Sequence, residues 1–215
     1  MSFKEGMQAL ADAVVEHLNS ERIILGEAVV KVEREDGFYR VILENGESIE
    51  AKTLIITAPT YAAAEMLDEL DQELSKKLRE IPYSSSSTVS LGFKKEDFAH
   101  SLKGFGFVVP WTEKRKIMAM TWISSKWPFR APEGYVLVRA FMGGALGEEN
   151  IRVDNQTLLE TALGEMKIIM GVEAEPVICR IFRWEKSMPQ YTLGHENRVK
   201  FIESRLDRVH PGLFV

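Results

Sequence analysis

R-W-E-K-S-M-P-Q-Y-T-L-G-H, at residues 183–195, is the stretch around which this chain is organised. An alternating apolar segment leads into it and predicts a strand. Pro189 has no backbone N–H and a fixed φ, which argues against a helix or a central strand here. We therefore expect Trp184, Met188 and Tyr191 to lie on an ordered bend.

Two interpretations of this bend stay open. A Trp, a Met and a Tyr presented together suit a flat conjugated ligand, because aromatic rings stack offset and thioethers adapt to irregular apolar shapes. The same residues could instead pack in a core, which is the commoner fate of apolar side chains. The pattern by itself favours the core, and only the rest of the chain can favour the ligand.

Composition excludes several functional classes. The 215 residues are 45% hydrophobic and 27% charged, as is ordinary for a soluble globular protein of one large or two small domains. A net charge of -5 argues against a nucleic-acid partner, since phosphate binding needs a basic surface. The single cysteine, Cys179, excludes a disulfide framework and indicates a reducing, cytoplasmic setting. The histidines are scattered without ligand spacing, so we expect no metal.

Membrane insertion is excluded as well. No apolar run approaches the roughly 20 residues that a spanning helix needs, and no signal-peptide core opens the chain. Peripheral contact with the cytoplasmic face of a membrane stays open.

The first part of the chain mixes helix and strand patterns. Residues 2–18 have apolar side chains at helical spacing and predict an amphipathic helix. A meander with turns at Asp36-Gly37 and Asn45-Gly46 is expected from strand patterns at 23–25, 28–34, 38–44 and 48–50. Residues 53–57 are continuously apolar, which is typical of a strand buried on both faces of a parallel sheet. Two helices should follow from Pro59.

The second part predicts one curved, mainly antiparallel sheet with packed helices. Strand patterns fall at residues 89–93, 104–109, 116–124, 135–141 and 176–184. Asp154 and Gly171 bound a long helix, and a last helix covers 195–209. In residues 135–141, both the odd-numbered and the even-numbered side chains are largely apolar, so both faces of this strand should be covered. We expect helices on one face of the sheet and a ligand or another domain on the other. Gly143-Gly144 is not a phosphate loop, because no Lys-Ser/Thr and no G-x-G-x-x-G spacing accompanies it.

Several further segments carry a family resemblance. In chain order they are I-T-A-P at 56–59, G-F-G-F-V-V-P at 104–110, T-W-I-S-S-K-W-P at 121–128 and R-A-F-M-G-G at 139–144. Together with residues 183–195, they resemble the FAD-dependent, oxygen-using protoporphyrinogen and coproporphyrinogen oxidases of haem synthesis, most strongly the soluble type of Gram-positive bacteria.

The resemblance implies a fold, a division into domains and a reaction. The fold would be α/β (α+β), with the substrate domain of FAD-linked reductases and part of a flavin domain. Residues 1–60 would belong to the FAD domain, 61–194 to the substrate domain and 195–215 to a return into the FAD domain. Hydride would pass from coproporphyrinogen III or protoporphyrinogen IX to the flavin, and O2 would reoxidise it. The Gram-positive type favours coproporphyrinogen.

The resemblance also implies site residues, none of them a general base. Expected FAD contacts are Val29, Thr57, Ala58, Pro59 and Trp184. Expected porphyrinogen contacts are Val108, Phe141, Met120 and Trp122. We expect Val108, Phe141 and Trp184 to point into one common cavity.

The chain departs from the family in one respect. The G-x-G-x-x-G fingerprint is missing, as is the Gly-rich flavin segment expected after Val215. We therefore expect a central fragment of a larger enzyme, which by itself is inactive and holds no FAD. Two alternatives stay open: another flavin enzyme of the amine oxidase or desaturase type, or a binding module without flavin.

Overall fold

The structure is a computed structural model that describes residues 2–18 and 23–215. Its helices are α1 (Gln8–Glu16), α2 (Thr60–Met66), α3 (Gln72–Arg79), α4 (Ile123–Lys126), α5 (Asn155–Met170) and α6 (His195–Val209). Its strands are β1 (Val29–Glu35), β2 (Phe38–Leu43), β3 (Ser48–Ala51), β4 (Leu54–Ile55), β5 (Tyr83–Lys94), β6 (Gly106–Val108), β7 (Ala119–Trp122), β8 (Tyr135–Gly143), β9 (Ile178–Pro189) and β10 (Leu213–Phe214). Short 3-10 helices lie at Lys95–Asp97, Trp111–Glu113, Pro128–Arg130 and Glu148–Ile151.

The chain folds into two compact units. The first contains the residues up to Val14 together with Tyr83–Met188, and the second contains Val15–Pro82 with Pro189–Val215. The second unit thus extends to residue 82, and the division into flavin and substrate domains at residues 60 and 195 stays a prediction. The unit reaches residue 82 because α2 lies beside β1 and α3 lies beside α6.

A five-stranded sheet forms the centre of the first unit, in the order β6-β7-β8-β5-β9. The pairs β6–β7, β7–β8 and β5–β8 are antiparallel. Helix α5 packs on this sheet and places Leu158, Ala162 and Met166 in its core. The mixed α/β class with a mainly antiparallel sheet, which the sequence predicts, is confirmed.

Helix α5 begins and ends where its sequence predicts. The side chain of Asp154 accepts a hydrogen bond from the backbone N–H of Thr157 at 2.9 Å, which satisfies one of the free donors of the first turn. Gly171 ends the helix with a φ of 69°, a left-handed conformation that glycine adopts without a steric penalty. These two caps fix the length of the element that covers the sheet.

Gly106 lets β6 join the sheet. A Cβ added there would lie 2.1 Å from the carbonyl oxygen of Met120, so only glycine permits this approach of the two backbones. The neighbouring strand β7 is therefore the reason for a glycine at this position.

Strand β9 corrects the expected bend. It runs through Trp184 and Met188 as far as Pro189, although Lys186 interrupts it with a φ of 42°. The proline is tolerated because β9 is an edge strand and Pro189 is its last residue. Of the three residues expected on the bend, Trp184 and Met188 lie in the strand, and only Tyr191 lies beyond it.

The predicted helix over residues 2–18 is shorter in the structure. Helix α1 begins at Gln8 and ends at Glu16, and none of its residues is buried. Residues 23–25, which were predicted as a strand, form no regular secondary structure. The apolar residues of α1, such as Leu10 and Val14, are half-exposed.

The second unit contains the predicted meander and a parallel pair of short strands. β1, β2 and β3 form an antiparallel sheet. The first turn has positive φ at both Asp36 and Gly37, as tight hairpins prefer. β4 pairs with β10 in parallel, but Ile55 is 67% exposed. The parallel pairing agrees with the sequence, whereas the expected burial of this strand is wrong for Ile55.

Asp71 holds three elements of the second unit together. Its carboxylate caps α3 by accepting from the backbone N–H of Leu74 at 3.0 Å. It also accepts from Nε of Arg205 on α6 at 2.6 Å and lies 2.7 Å from Nε2 of His210. Burial alone would raise the pKa of Asp71, but the bonds from Arg205, Leu74 and His210 together lower it to about 2.

We predict that Asp71→Asn destabilises the protein in a pH-dependent way. The carboxylate pKa falls from 3.8 to about 2 on folding, so its contribution is fully present above pH 3.8 and is lost as the pH falls through about 2. At neutral pH, urea unfolding should show a loss of about 2 kcal/mol, and the difference from wild type should shrink between pH 4 and pH 2.

Asp207→Asn is the matched control, because Asp207 is an exposed residue of α6. It should change the free energy of unfolding by less than about 0.5 kcal/mol. A loss for Asp71→Asn that is the same at pH 7 and pH 2 would contradict the ionic origin of the effect.

Candidate functional site

Strand alternation gives the five-stranded sheet two unlike faces. The side chains that face α5 are almost completely buried. They include Val89, Leu91, Phe93, Met120, Val138, Ala140 and Met142. The residues between them point to the other side. We call this other surface the aromatic face and define it by Thr88, Ser90, Val108, Arg139, Phe141, Phe182 and Trp184.

Pairing across the strands places Val108 and Phe141 on the aromatic face. Val108 pairs with Ala119, Ala119 pairs with Phe141, and Phe141 pairs with Thr88. Directly paired residues project to the same side of a sheet. Val108 is 80% exposed, whereas Phe141 is half-buried. The two predicted substrate residues therefore share one row of side chains.

Trp184 lies on the same face. Cys179 and Ile181 of β9 pack against the core, so Phe182 and Trp184 project away from it. A Cβ added at Gly92 of β5 would lie 2.6 Å from Cγ2 of Ile178, which places these even-numbered residues of the two strands on one side. The rings of Phe182 and Trp184 are 6.2 Å apart, and Trp184 is 50% exposed.

Met120 and Trp122 do not share this face. They pair with Ala140 and Val138, which point toward α5. Met120 is 0% exposed and Trp122 is 7% exposed, and both belong to the core cluster. The structure therefore places Met120 and Trp122 on the core side of the sheet, apart from Val108 and Phe141.

Small polar residues form the floor of the aromatic face. Between Phe141 on β8 and Phe182 on β9 lies β5, which contributes Thr88 and Ser90 to this side. Thr88 is 8% exposed, against 53% for Phe182. Because neighbouring strands are about 4.8 Å apart, the surface from β6 to β9 is on the order of 20 Å wide.

Arg139 is a charged residue of the aromatic face that the sequence analysis did not single out. It pairs with Ser90 of β5, and its Nε donates to the hydroxyl of that serine at 3.0 Å. Burial lowers the pKa of the Arg139 guanidinium, and the positive charge of Arg130 acts in the same direction. The sequence could have indicated this position, because Arg139 precedes Phe141 by two residues and side chains two residues apart on a strand point to the same side of the sheet.

The other predicted flavin contacts lie in the second unit. Val29 is half-buried at the start of β1, where the pairing with β2 shifts between Val29 and Lys31. Thr57, Ala58 and Pro59 follow the carboxyl end of β4 and lead into α2. Ligands of open α/β sheets bind at the carboxyl ends of parallel strands. Since α2 packs beside β1, these residues lie on neighbouring elements of the second unit.

A cleft of about 290 Å³ adjoins Val108 at one end of the sheet and is lined by Trp111, Ile117, Met118 and Leu146 among others. In residues 2–18 and 23–215, no group of three or more His, Cys, Asp or Glu side chains is arranged to hold a metal ion. Within the same ranges, no helix is both long and apolar enough to cross a membrane.

Comparison with known sequences assigns the chain to a group. The profile of the family described as "Flavin containing amine oxidoreductase" matches residues 1–215. Coproporphyrinogen III oxidase of Bacillus subtilis (strain 168) is 33% identical over 210 residues, which are 98% of this chain and 44% of that protein. The chloroplastic protoporphyrinogen oxidase of Oryza sativa subsp. japonica is 26% identical over 227 residues, with 100% and 42% covered.

Comparison with solved structures also finds similarity to a porphyrinogen oxidase. A crystal structure from Exiguobacterium sp. 255-15, of a protein assigned to the protoporphyrinogen oxidases, superposes with a TM-score of 0.84 at 27% identity. The match covers 99% of this chain and 46% of that one. The chain thus spans less than half the length of the relatives it matches.

We predict that alanine at two adjacent positions of β8 lowers the stability of the protein by unequal amounts. Met142 is 0% exposed, so Met142→Ala should cost about 2–5 kcal/mol of stability. Phe141 lies on the aromatic face, so Phe141→Ala should cost only about 1 kcal/mol. In a core, the larger Phe would give the greater loss, about 3–5 kcal/mol. Urea unfolding of the two variants measures the order, and a greater loss for Phe141→Ala would mean that Phe141 is a core residue.

Proposed function

Because the chain belongs to the flavin containing amine oxidoreductase family, we propose that it carries the substrate-binding face of a porphyrinogen oxidase. In the proposed reaction, coproporphyrinogen III or protoporphyrinogen IX becomes the porphyrin, with FAD as cofactor and O2 as final acceptor, as a step of haem synthesis. The observation that carries the proposal is the arrangement of Val108, Phe141 and Trp184 on one side of one sheet.

The shape of the aromatic face supports a flat, broad substrate. A tetrapyrrole macrocycle needs a wide apolar surface, and the aromatic face carries Phe141 on β8 and the rings of Phe182 and Trp184 on β9, with β5 between these two strands. Phe141 and Val108 would pack on pyrrole rings, since offset ring contacts are favourable. A compact polar substrate would leave most of this surface exposed to water.

The residues of the second unit support a flavin as the cofactor. The backbone at Val29 and the loop Thr57, Ala58 and Pro59 would hold FAD. When bound, the flavin supplies the two-electron acceptor that the oxidation requires and passes the electrons to O2. The protein side chains would orient the macrocycle and exclude water from it.

No side chain of the aromatic face is assigned as a general base. The residues that define this face include neither a carboxylate nor a histidine. Their role in the proposed reaction is therefore to bind and orient the substrate, which lowers the barrier by placing the reacting carbon in position.

Similarity to the Bacillus subtilis protein supports coproporphyrinogen III as the substrate. That relative, named coproporphyrinogen III oxidase, is 33% identical, against 26% for the rice protoporphyrinogen oxidase. We further propose a cytoplasmic location, which the lone free Cys179 supports because secreted proteins usually pair their cysteines. Contact with the membrane surface would suit protoporphyrin IX, the less carboxylated of the two porphyrin products.

We predict that the full-length, flavin-loaded enzyme that contains this chain oxidises coproporphyrinogen III. Without O2, mixing should bleach the flavin absorbance with little porphyrin fluorescence, because the porphyrinogen must lose six electrons and each flavin accepts two. Air should restore the flavin, and porphyrin fluorescence should then rise. Phe141→Ala should raise KM by several-fold to about tenfold at unchanged flavin content, because the substrate loses a packing partner worth about 0.5–1.5 kcal/mol.

The alternatives give different outcomes in the same experiment. Flavin bleaching by a polyamine or a polyene, but not by either porphyrinogen, would identify an amine oxidase or a desaturase. A full-length protein that contains this chain and never retains flavin would be a binding module. An unchanged KM together with a large fall in Tm for Phe141→Ala would remove that residue from the substrate site.

A further inference from the structure

Arg139 stands in the middle of the aromatic face. It lies on the central strand β8, pairs with Ser90 on one side and with Thr121 on the other, and is two residues from Phe141. Residues two apart on a strand are about 6.8 Å apart on the same side. A ligand that packs on Phe141 therefore has a guanidinium within reach of its edge.

This guanidinium has no counter-charge in the described part of the chain. Among residues 2–18 and 23–215, its one hydrogen bond is from Nε to the hydroxyl of Ser90, at 3.0 Å, and no carboxylate forms an ion pair with it. The charged group that affects it most is another cation, Arg130. The terminal nitrogens of Arg139 thus retain donors for an anion.

The surroundings favour an anionic partner of a particular kind. A half-buried cation that is repelled by a second cation gains when a negative charge reaches it. The planar fork of arginine matches the two oxygens of a carboxylate, and such bidentate pairs are stronger than neutral hydrogen bonds. An apolar ring on Phe141 that carries a short carboxylate side chain satisfies both features of the surface at once.

We propose that Arg139 binds a carboxylate side chain of the porphyrinogen and so favours the more carboxylated substrate. This inference rests on the proposed function and adds a specificity determinant to it. Coproporphyrinogen III has a propionate on every pyrrole ring, whereas protoporphyrinogen IX has vinyl groups in place of some of them. Only the former can present a propionate to Arg139 in whichever orientation the ring is bound.

The test compares variants of Arg139 in the flavin-loaded protein. Arg139→Met removes the charge but keeps an unbranched apolar stem, and Arg139→Lys keeps the charge without the planar fork. Arg208→Met is the matched control, since it makes the same change of charge at an exposed residue of α6. The probes are coproporphyrin III and its fully esterified form, with binding measured by fluorescence quenching.

Arg139→Met should weaken binding of the free acid about tenfold or more, as expected for loss of a charge-assisted bond. Binding of the ester should change by less than about twofold. KM for coproporphyrinogen III should rise at nearly constant kcat, and more than KM for protoporphyrinogen IX. Arg139→Lys should lie in between, and Arg208→Met should match wild type.

Folding measurements separate this role from a structural one. Arg139→Met should not lower Tm, because the removed cation has no counter-charge among the described residues. Flavin content should also stay unchanged, which distinguishes a substrate carboxylate from the phosphates of the cofactor as the anion.

Two different negative results separate the role of Arg139 from the proposed function. If the wild type oxidises coproporphyrinogen III but Arg139→Met weakens acid and ester equally, or weakens neither, the role of Arg139 is wrong and the proposed function stands. A wild-type protein that neither binds the porphyrin nor oxidises the porphyrinogen overturns both.

Discussion

Strand alternation in the five-stranded sheet is the constraint on which the first unit depends. Helix α5 covers one side, and burial of that side stabilises the fold by about 25 cal/mol for each Å² of apolar surface removed from water. Every second residue must then project to the other side, as Arg139 and Phe141 do between the buried Val138, Ala140 and Met142. The ligand-binding surface therefore varies in chemistry without loss of the core.

The second unit depends on a different interaction. Asp71 ties the start of α3 to Arg205 and to His210, which directly precedes the turn into β10. Strand β10 pairs with β4, and the loop expected to hold FAD follows β4. A buried carboxylate with four hydrogen-bond partners, the backbone N–H of Glu73 among them, thus fixes the strand pair from which this loop extends. Removing one partner would leave a buried charge incompletely paired.

The sequence predicted elements more reliably than contacts. The strand of Phe141 was evident from its pattern, but for Met120 and Trp122 the pattern did not show the side of the sheet, because periodicity does not tell which side of β7 meets the helix. The bond between Asp71 and His210 joins residues 139 apart in sequence, and no local pattern encodes such a contact. Where alternation was combined with a known neighbour, as for Val108 and Phe141, a shared face could be inferred.

The most direct test of the central claim is a crystal structure of the flavin-loaded protein with coproporphyrin III. We expect the macrocycle to lie on the aromatic face, in contact with Val108 and with the ring of Phe141. Met120 and Met142 should not contact it. A macrocycle bound in the cleft beside Leu146 without touching Phe141, or bound to the second unit alone, would contradict the account.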